Sequence, residues 1–341
     1  MLGKAGEKMG DGKKLALLGA AVLLVYLFCR GGSPQEPETT LSERASAQSA
    51  MAQTDPSGGS ASLTLIHAPA SAAEEHEESF FVPSQADMAV AMTIGGAAML
   101  RNETGYSVDA ESAAQAGTTV RLSAEGPQIL IIHTHSSEAY TPSGLDRYEA
   151  SDNTRTEDPS YNIIRVGDEL TRLFEQAGLR VIHDRGVYDY PSYTGSYGRS
   201  GAVVEQYLRD YPSISVVLDV HRDALGTDGV IYKTVAEEDG VCASQAMLLV
   251  GTDESGLEHP RWRENLSLAL YLQRAIFQTY PTLMRPVALV PQRYNQQLCT
   301  GMLILEVGSS GNTLQEALAS IRLFAAAAAP ALLALTEQSA A

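Results

Sequence analysis

The sequence predicts an α/β fold, a doubly wound and mostly parallel sheet with helices on both faces, carried behind an N-terminal membrane anchor and a flexible tether. Three observations lead there. Beyond Gly126, short β-branched runs alternate with segments of helical periodicity, the pattern of strands joined by covering helices. Residues 1–30 carry Lys4, Lys8, Lys13 and Lys14 and then an uncharged apolar run. Between these regions the composition turns acidic and small.

The chain has 341 residues, 44% hydrophobic and 19% charged, which excludes wholesale disorder and a collagen-like or disulfide-framework chain. Its 24 Lys+Arg against 41 Asp+Glu leave a net charge of -17. A nucleic-acid binder needs a basic footprint to neutralise phosphates, so nucleic acid is not expected as a partner. The three cysteines (Cys29, Cys242, Cys299) contain no Cys-x-x-Cys pair. Any metal must therefore rest on histidines and carboxylates. Cys242 and Cys299 read as buried small residues or as one optional disulfide.

Leu15 to Cys29 follows the lysines without a charge, the layout of a signal anchor whose lysine side stays in the cytoplasm. Fifteen apolar residues is short for a span of about 20, but Lys14 can snorkel and Arg30 closes the far side. No small-x-small site follows closely, so an uncleaved single-pass anchor with an extracytoplasmic remainder is expected. Residues 31–125 hold thirteen acidic and three basic residues among Ser, Ala, Pro and Gly. Such a segment buries too little apolar surface to offset its chain entropy. As a coil it would reach roughly 50 to 60 Å. Met88 to Leu100 is more apolar, and composition leaves open a short helix or a membrane-proximal subdomain there.

Residues 126–341 form the predicted folded domain. Gln128 to His133 reads as a strand buried on both faces. Tyr161 to Ala177 carries helical spacing, with Asp158-Pro159 as a start signal and Gly178 as a stop. Residues 179–184 and 214–220 read as strands flanking a helix around Gly201 to Arg209. Further strands are expected near Val230–Val235, Ala246–Gly251 and Met302–Val307, with a long helix from Trp262 to Tyr280. The last helix opens at Thr313 with Glu316 three residues on, a capping box, and Pro330 is expected to interrupt it.

Ligands of such sheets bind beyond the carboxyl ends of the strands. The first strand runs into His133-Thr134-His135-Ser136-Ser137-Glu138, the third into Asp219-Val220-His221-Arg222-Asp223, and the last into Leu305-Glu306-Val307-Gly308. Catalytic zinc takes three nitrogen or oxygen ligands and keeps a fourth position open. His135, Glu138 and His221 supply that set, and Glu306 remains as a general base. His133 competes with His135, because alternation puts both on one face of an extended strand; the three-residue step to Glu138 favours His135. Asp219 reads either as an orienting partner of a ligand or as a hydrogen-bonded strand end.

Other chemistries lack their motifs. Gly308-Ser309-Ser310-Gly311 has the wrong spacing for a nucleophile elbow, and no phosphate-binding glycine loop is present. The tyrosine-rich loop from Tyr188 through Tyr197 reads equally as the wall of a glycan groove or as rings packed on the sheet edge.

The blocks ILIIHTHSSEAYTP, YNIIRVGDEL, the Tyr-Pro-x-Tyr loop, LDVHRDA, RYNQQL and LILEVGSSGNTLQEA resemble, in order over residues 127–328, the stage II sporulation protein P family. That family is similar to zinc-dependent N-acetylmuramoyl-L-alanine amidases, whose fold resembles that of zinc carboxypeptidases. The resemblance implies a zinc-dependent peptidoglycan hydrolase with amidase and endopeptidase activity, acting in engulfment during endospore formation beside the stage II sporulation proteins D and M. It implies His135 and His221 as zinc ligands and Glu306 as the catalytic carboxylate. The related amidases draw their ligand glutamate from just before the helix at Tyr161, where Glu157 and Asp158 stand, so the third ligand is Glu138 or one of these. A zinc carboxypeptidase-like peptidase and an inactive cell-wall binding module are the alternative functions.

Overall fold

A computed structural model describes residues 89–92, 99–151, 154–227, 230–238 and 240–337. The expected anchor and most of the expected tether lie outside the described residues. A seven-stranded sheet organises the rest. In chain order its strands are β2 (Leu100–Asn102), β3 (Ile129–Ile132), β4 (Val181–His183), β5 (Val216–Asp223), β10 (Ala246–Gly251), β11 (Val287–Val290) and β12 (Met302–Ser309), arranged in space as β2-β11-β10-β12-β5-β3-β4. All neighbouring pairs are parallel except β10 with β12. That one antiparallel seam divides the sheet into two blocks of opposite direction. The carboxyl ends of β3, β5 and β12 therefore share an edge with the amino ends of β10 and β11.

Side chains alternate between two apolar layers, as a pleated strand requires. Ile129, Ile131, Leu218, Val220, Leu303 and Leu305 face the larger layer, built with helices α2 (Ile163–Gln176), α4 (Trp262–Thr279) and α5 (Leu314–Leu333). Leu130, Ile132, Val217 and Met302 face the other side, where Val204 of α3 (Ser196–Asp210) covers them. Helices thus lie on both faces, and the sheet is mostly parallel, as expected.

Local chemistry explains the helix ends. α2 is capped by the Asn162 side chain, which accepts from the Ile164 amide at 3.0 Å. Asp158-Pro159 forms a separate turn before it, closed by Tyr161 N–H donating to Asp158 O. α5 opens with the expected capping box at Thr313 and Glu316. It does not break at Pro330 but continues to Leu333. The proline stands in the last turn on an exposed position, so its missing N–H removes only one ladder bond. By length and composition this helix is apolar enough to cross a membrane. Its apolar residues are instead core residues, with Ala317, Ile321, Phe324 and Ala328 packed against the sheet and the neighbouring helices.

The tether boundary at residue 125 needs correction. β1 (Ala89–Met92) pairs with β7 (Val230–Thr234), which in turn pairs with β6 (Gly226–Thr227). β2 joins the large sheet, α1 (Ala110–Ala116) packs on α4, and Val120 and Leu122 are core residues. Leu122 also exchanges backbone bonds with the chain end, its N–H donating to Leu335 O and its carbonyl accepting from Glu337 N–H. Composition missed this segment because one three-residue strand and a few buried side chains are diluted by acidic neighbours. β8 (Ala236–Glu238) and β9 (Val241–Ala243) form a hairpin. Cys242 is exposed, Cys299 is buried, and both are free thiols, so the optional disulfide does not form.

Leu122→Ala should cost about 2 to 5 kcal/mol, the range for removing a fully buried leucine side chain. Urea unfolding monitored by circular dichroism measures it; an unchanged midpoint would return this segment to the tether.

Candidate metal centre

The turn after β3 makes the first half of the site. Glu138 N–H donates to His135 O at 3.1 Å, a tight turn that returns residue 138 alongside residue 135. The chain has left its extended path at Ile132, so strand alternation no longer governs these side chains. His133, the first residue past the strand, lies on α2, where a Cβ on Gly167 would come within 2.4 Å of its Nε2. Its Nδ1 is 2.9 Å from Val220 O and its Nε2 2.8 Å from His183 Nε2. Burial, and then the neighbouring His183, push its pKa down to about 3. His133 is thereby removed from the competition with His135.

β5 delivers the second half. His221 Nδ1 lies 3.3 Å from Glu138 Oε2, and His135 Nδ1 lies 3.5 Å from Glu138 Oε1. The two imidazoles meet edge to face, with centroids 5.1 Å apart. One donor atom from each of His135, Glu138 and His221 falls within 4.8 Å of the others, and all three residues are buried. Ion-to-ligand distances of about 2.1 Å set tetrahedral donors roughly 3.4 Å apart. The two His–Glu separations fit that spacing, and His135 Nε2 is buried with no hydrogen-bond partner. These residues suit zinc in donor type and spacing. Glu157 and Asp158 are exposed and stand outside the cluster.

Partners around the cluster hold it in place. Glu138 Oε2 accepts from the Arg222 backbone N–H at 3.1 Å, and Arg155 Nη2 lies 3.4 Å from Oε1. Burial alone would raise the pKa of Glu138, but its bonds to His135 and His221 prevail and hold it well below the usual carboxylate range. Asp219 Oδ1 sits 2.9 Å from His221 Nε2 and accepts from the Thr134 N–H and hydroxyl through its two oxygens at 2.8 and 2.6 Å. Burial opposes a charge on His221, yet Asp219 and Glu138 outweigh it and hold the imidazole well above its ordinary pKa. Asp219 thus stands at ion-pair distance from His221 while bonded to Thr134 through both of its oxygens.

Glu306 pairs with His221 across the β12–β5 ladder. In-register parallel neighbours place their side chains on the same face. The register shifts immediately afterwards, between Glu306 and Ser309, with Gly308 at φ 68. A Cβ on Gly308 would meet Ser244 at 2.8 Å, so only glycine fits both the backbone and the space. Oε2 of Glu306 is sealed from solvent without a partner. Burial first, and the Asp223 charge second, push its pKa up to about 8.

Two residues around the site carry no signal in the sequence. Asp189, buried in the tyrosine loop, accepts from Ser136, Ser137 and Arg155, with contacts of 2.6 Å from Ser137 Oγ and 2.8 Å from Arg155 Nη1. It thereby ties that loop to the His135–Glu138 turn. Arg285 is 1% exposed and donates to Asp223 at 2.8 Å. No periodicity or motif marks either residue. The tyrosine loop divides between its two readings: Tyr188 packs in the smaller core layer, whereas Tyr190 and Tyr193 are exposed.

In the metal-free protein, Glu306 keeps its proton in the folded state up to about pH 8, while the unfolded chain loses it near the ordinary glutamate value of 4.5. The unfolded state then binds fewer protons, so this group makes stability fall as pH rises through that window. Metal-free Glu306→Gln is therefore expected to be more stable than the parent at pH 8, with the difference vanishing below pH about 4.5. Urea midpoints in chelator across pH test this; a gap that stays constant with pH contradicts it.

The profile of the stage II sporulation protein P (SpoIIP) family matches residues 42–329. No individually curated protein matches the sequence. Among solved structures, the N-acetylmuramoyl-L-alanine amidase AmiC2 of Nostoc punctiforme aligns at 15% identity and a TM-score of 0.34, covering 62% of this chain and 97% of that one. An N-acetylmuramyl-L-alanine amidase from Mycobacterium smegmatis aligns at 11% and 0.35, covering 62% and 96%. One from Clostridium difficile 630 aligns at 13% and 0.35, covering 62% and 97%. At these scores the alignments are resemblances, and the assignment rests on the family profile, which spans most of the sequence: the chain belongs to the stage II sporulation protein P family.

Proposed function

We propose that the protein is a zinc-dependent peptidoglycan hydrolase of sporulation that cleaves the amide between N-acetylmuramic acid and L-alanine, with endopeptidase activity on the peptide cross-links. The observation that carries this reading is the convergence of His135, Glu138 and His221 beside Glu306, which lies in register with His221. Family membership adds sporulation and a cell-envelope setting. The N-terminal apolar run at residues 15–29 is proposed as the single membrane anchor that leaves the catalytic part extracytoplasmic. The stage II sporulation proteins D and M are proposed partners in engulfment.

His135, Glu138 and His221 would hold the ion. A bound zinc supplies Lewis acidity, polarising the amide carbonyl and acidifying water at its open position. The protein's own groups handle the protons. The ionised Glu306 carboxylate takes one from the attacking water as the new C–O bond forms, and its protonated form passes that proton to the nitrogen as the C–N bond breaks. The enclosure that raises its pKa to about 8 makes the ionised form a stronger base; a divalent cation alongside would bring that value down towards the working pH. Asp219 holds His221 in orientation through Nε2, leaving Nδ1 turned toward Glu138.

Glu306→Gln is expected to retain one zinc per chain and lose peptide release from purified peptidoglycan by at least about 100-fold, the lower range for removing a general base. His221→Ala is expected to lose both metal and activity. Metal content together with mass spectrometry of released fragments, with and without chelator, provides the test. Hydrolysis by Glu306→Gln at the parent rate, or release undiminished by chelation, would overturn the assignment.

A further inference from the structure

Tyr193 lies at the threshold of the candidate centre. Its ring stacks on His135 with centroids 4.5 Å apart and planes 25° from parallel, and the Arg155 guanidinium carbon is 5.0 Å from its centroid. Despite these contacts Tyr193 is 54% exposed, and Tyr190 on the same loop is 47% exposed. Solvent-facing rings this large are ordinarily held only loosely, but this loop is fastened at both ends. Arg199 donates to the carbonyls of Tyr188, Ser192 and Thr194. Asp189, between Tyr188 and Tyr190, is buried in its hydroxyl, amide and guanidinium bonds to Ser136, Ser137 and Arg155. Two exposed aromatic rings are thus presented on a backbone locked to the turn that carries His135 and Glu138.

The chemistry of the loop narrows what these rings receive. The cationic side chains next to them are already engaged: Arg155 with Asp189 and Glu138, and Arg199 with backbone carbonyls. A carboxylate on the substrate would find both of these arginines already engaged. A neutral ring with an apolar C–H face and polar edges would find the solvent-exposed parts of two tyrosine rings, Tyr193 being backed by His135, and aromatic rings offer large contact area at low conformational cost. A pyranose has that shape.

We propose, taking the peptidoglycan hydrolase reading as premise, that Tyr193 and Tyr190 form a stacking platform for the pyranose rings of the glycan strand, positioning the sugar-linked amide against the centre. Tyr193 takes the sugar that carries the scissile bond and Tyr190 a neighbour along the strand. The platform would favour sugar-linked amides over bonds in free peptides.

The test uses the full-length chain and peptide-free glycan strands as probe, so that binding is read without hydrolysis. Tyr190→Ala and Tyr193→Ala are each expected to weaken glycan binding by about two- to tenfold, judged against the worth of one aromatic contact. Tyr193→Trp should retain it, and zinc content and circular dichroism should be unchanged in all variants. On intact sacculi the alanine variants should raise KM more than they lower kcat. Parent-level glycan affinity in the Tyr190→Ala, Tyr193→Ala double variant, or no measurable glycan binding by the parent chain, would overturn the platform. Failure of the hydrolase reading is read separately, as absence of peptide release from sacculi by the parent protein whatever its glycan affinity.

Discussion

The buried carboxylate of Glu138 is the constraint around which the site is built. A charge removed from water must be compensated by partners of good geometry or it destabilises the fold. Here the partners come from three parts of the chain: His135 from its own turn, His221 and the Arg222 amide from β5, and Arg155 from the following loop. The same compensation draws in Asp219 behind His221 and Asp189 behind Arg155. Alternating charges from core to rim thus hold two imidazoles around one carboxylate, at 3.5 and 3.3 Å.

The sheet makes this convergence possible. Parallel pairing of β3, β5 and β12 carries three strand ends to one edge, and the register places Glu306 next to His221. The bulge after Glu306 ends regular pairing where the carboxylate must reach into the site. On the other side of β12 the antiparallel seam brings the amino ends of β10 and β11 to the same edge. Arg285, just before β11, thereby reaches Asp223 at the end of β5. A fully parallel sheet would have sent that arginine to the opposite edge.

Much of this was legible beforehand because strong local signals coincided with tertiary need. The β-branched runs at 129–132 and 216–220 are strands because both their faces are covered. The Thr313 capping box and the stop at Gly178 are short-range and survived intact. Signals that depend on distant packing failed. Residues 99–125 read as tether because their few core side chains are scattered among acidic ones, and Leu122 matters only through its contacts with the chain end and the core. Pro330 read as a break, but a proline in a final turn disturbs too little to end a helix whose apolar face is already packed.

By itself the sequence determined which groups stand toward strand ends, because the apolar runs give way to polar residues around His133, His221 and Glu306, and such a run is a local property of the chain. Tertiary structure brought His135 and Glu138, and neither His133 nor the exposed Glu157 and Asp158, together with His221, and it divided the tyrosine loop between packed and exposed rings. Those choices turn on where the chain bends after Ile132 and on what approaches from 50 to 90 residues away. A pattern with a period of two residues carries no record of either.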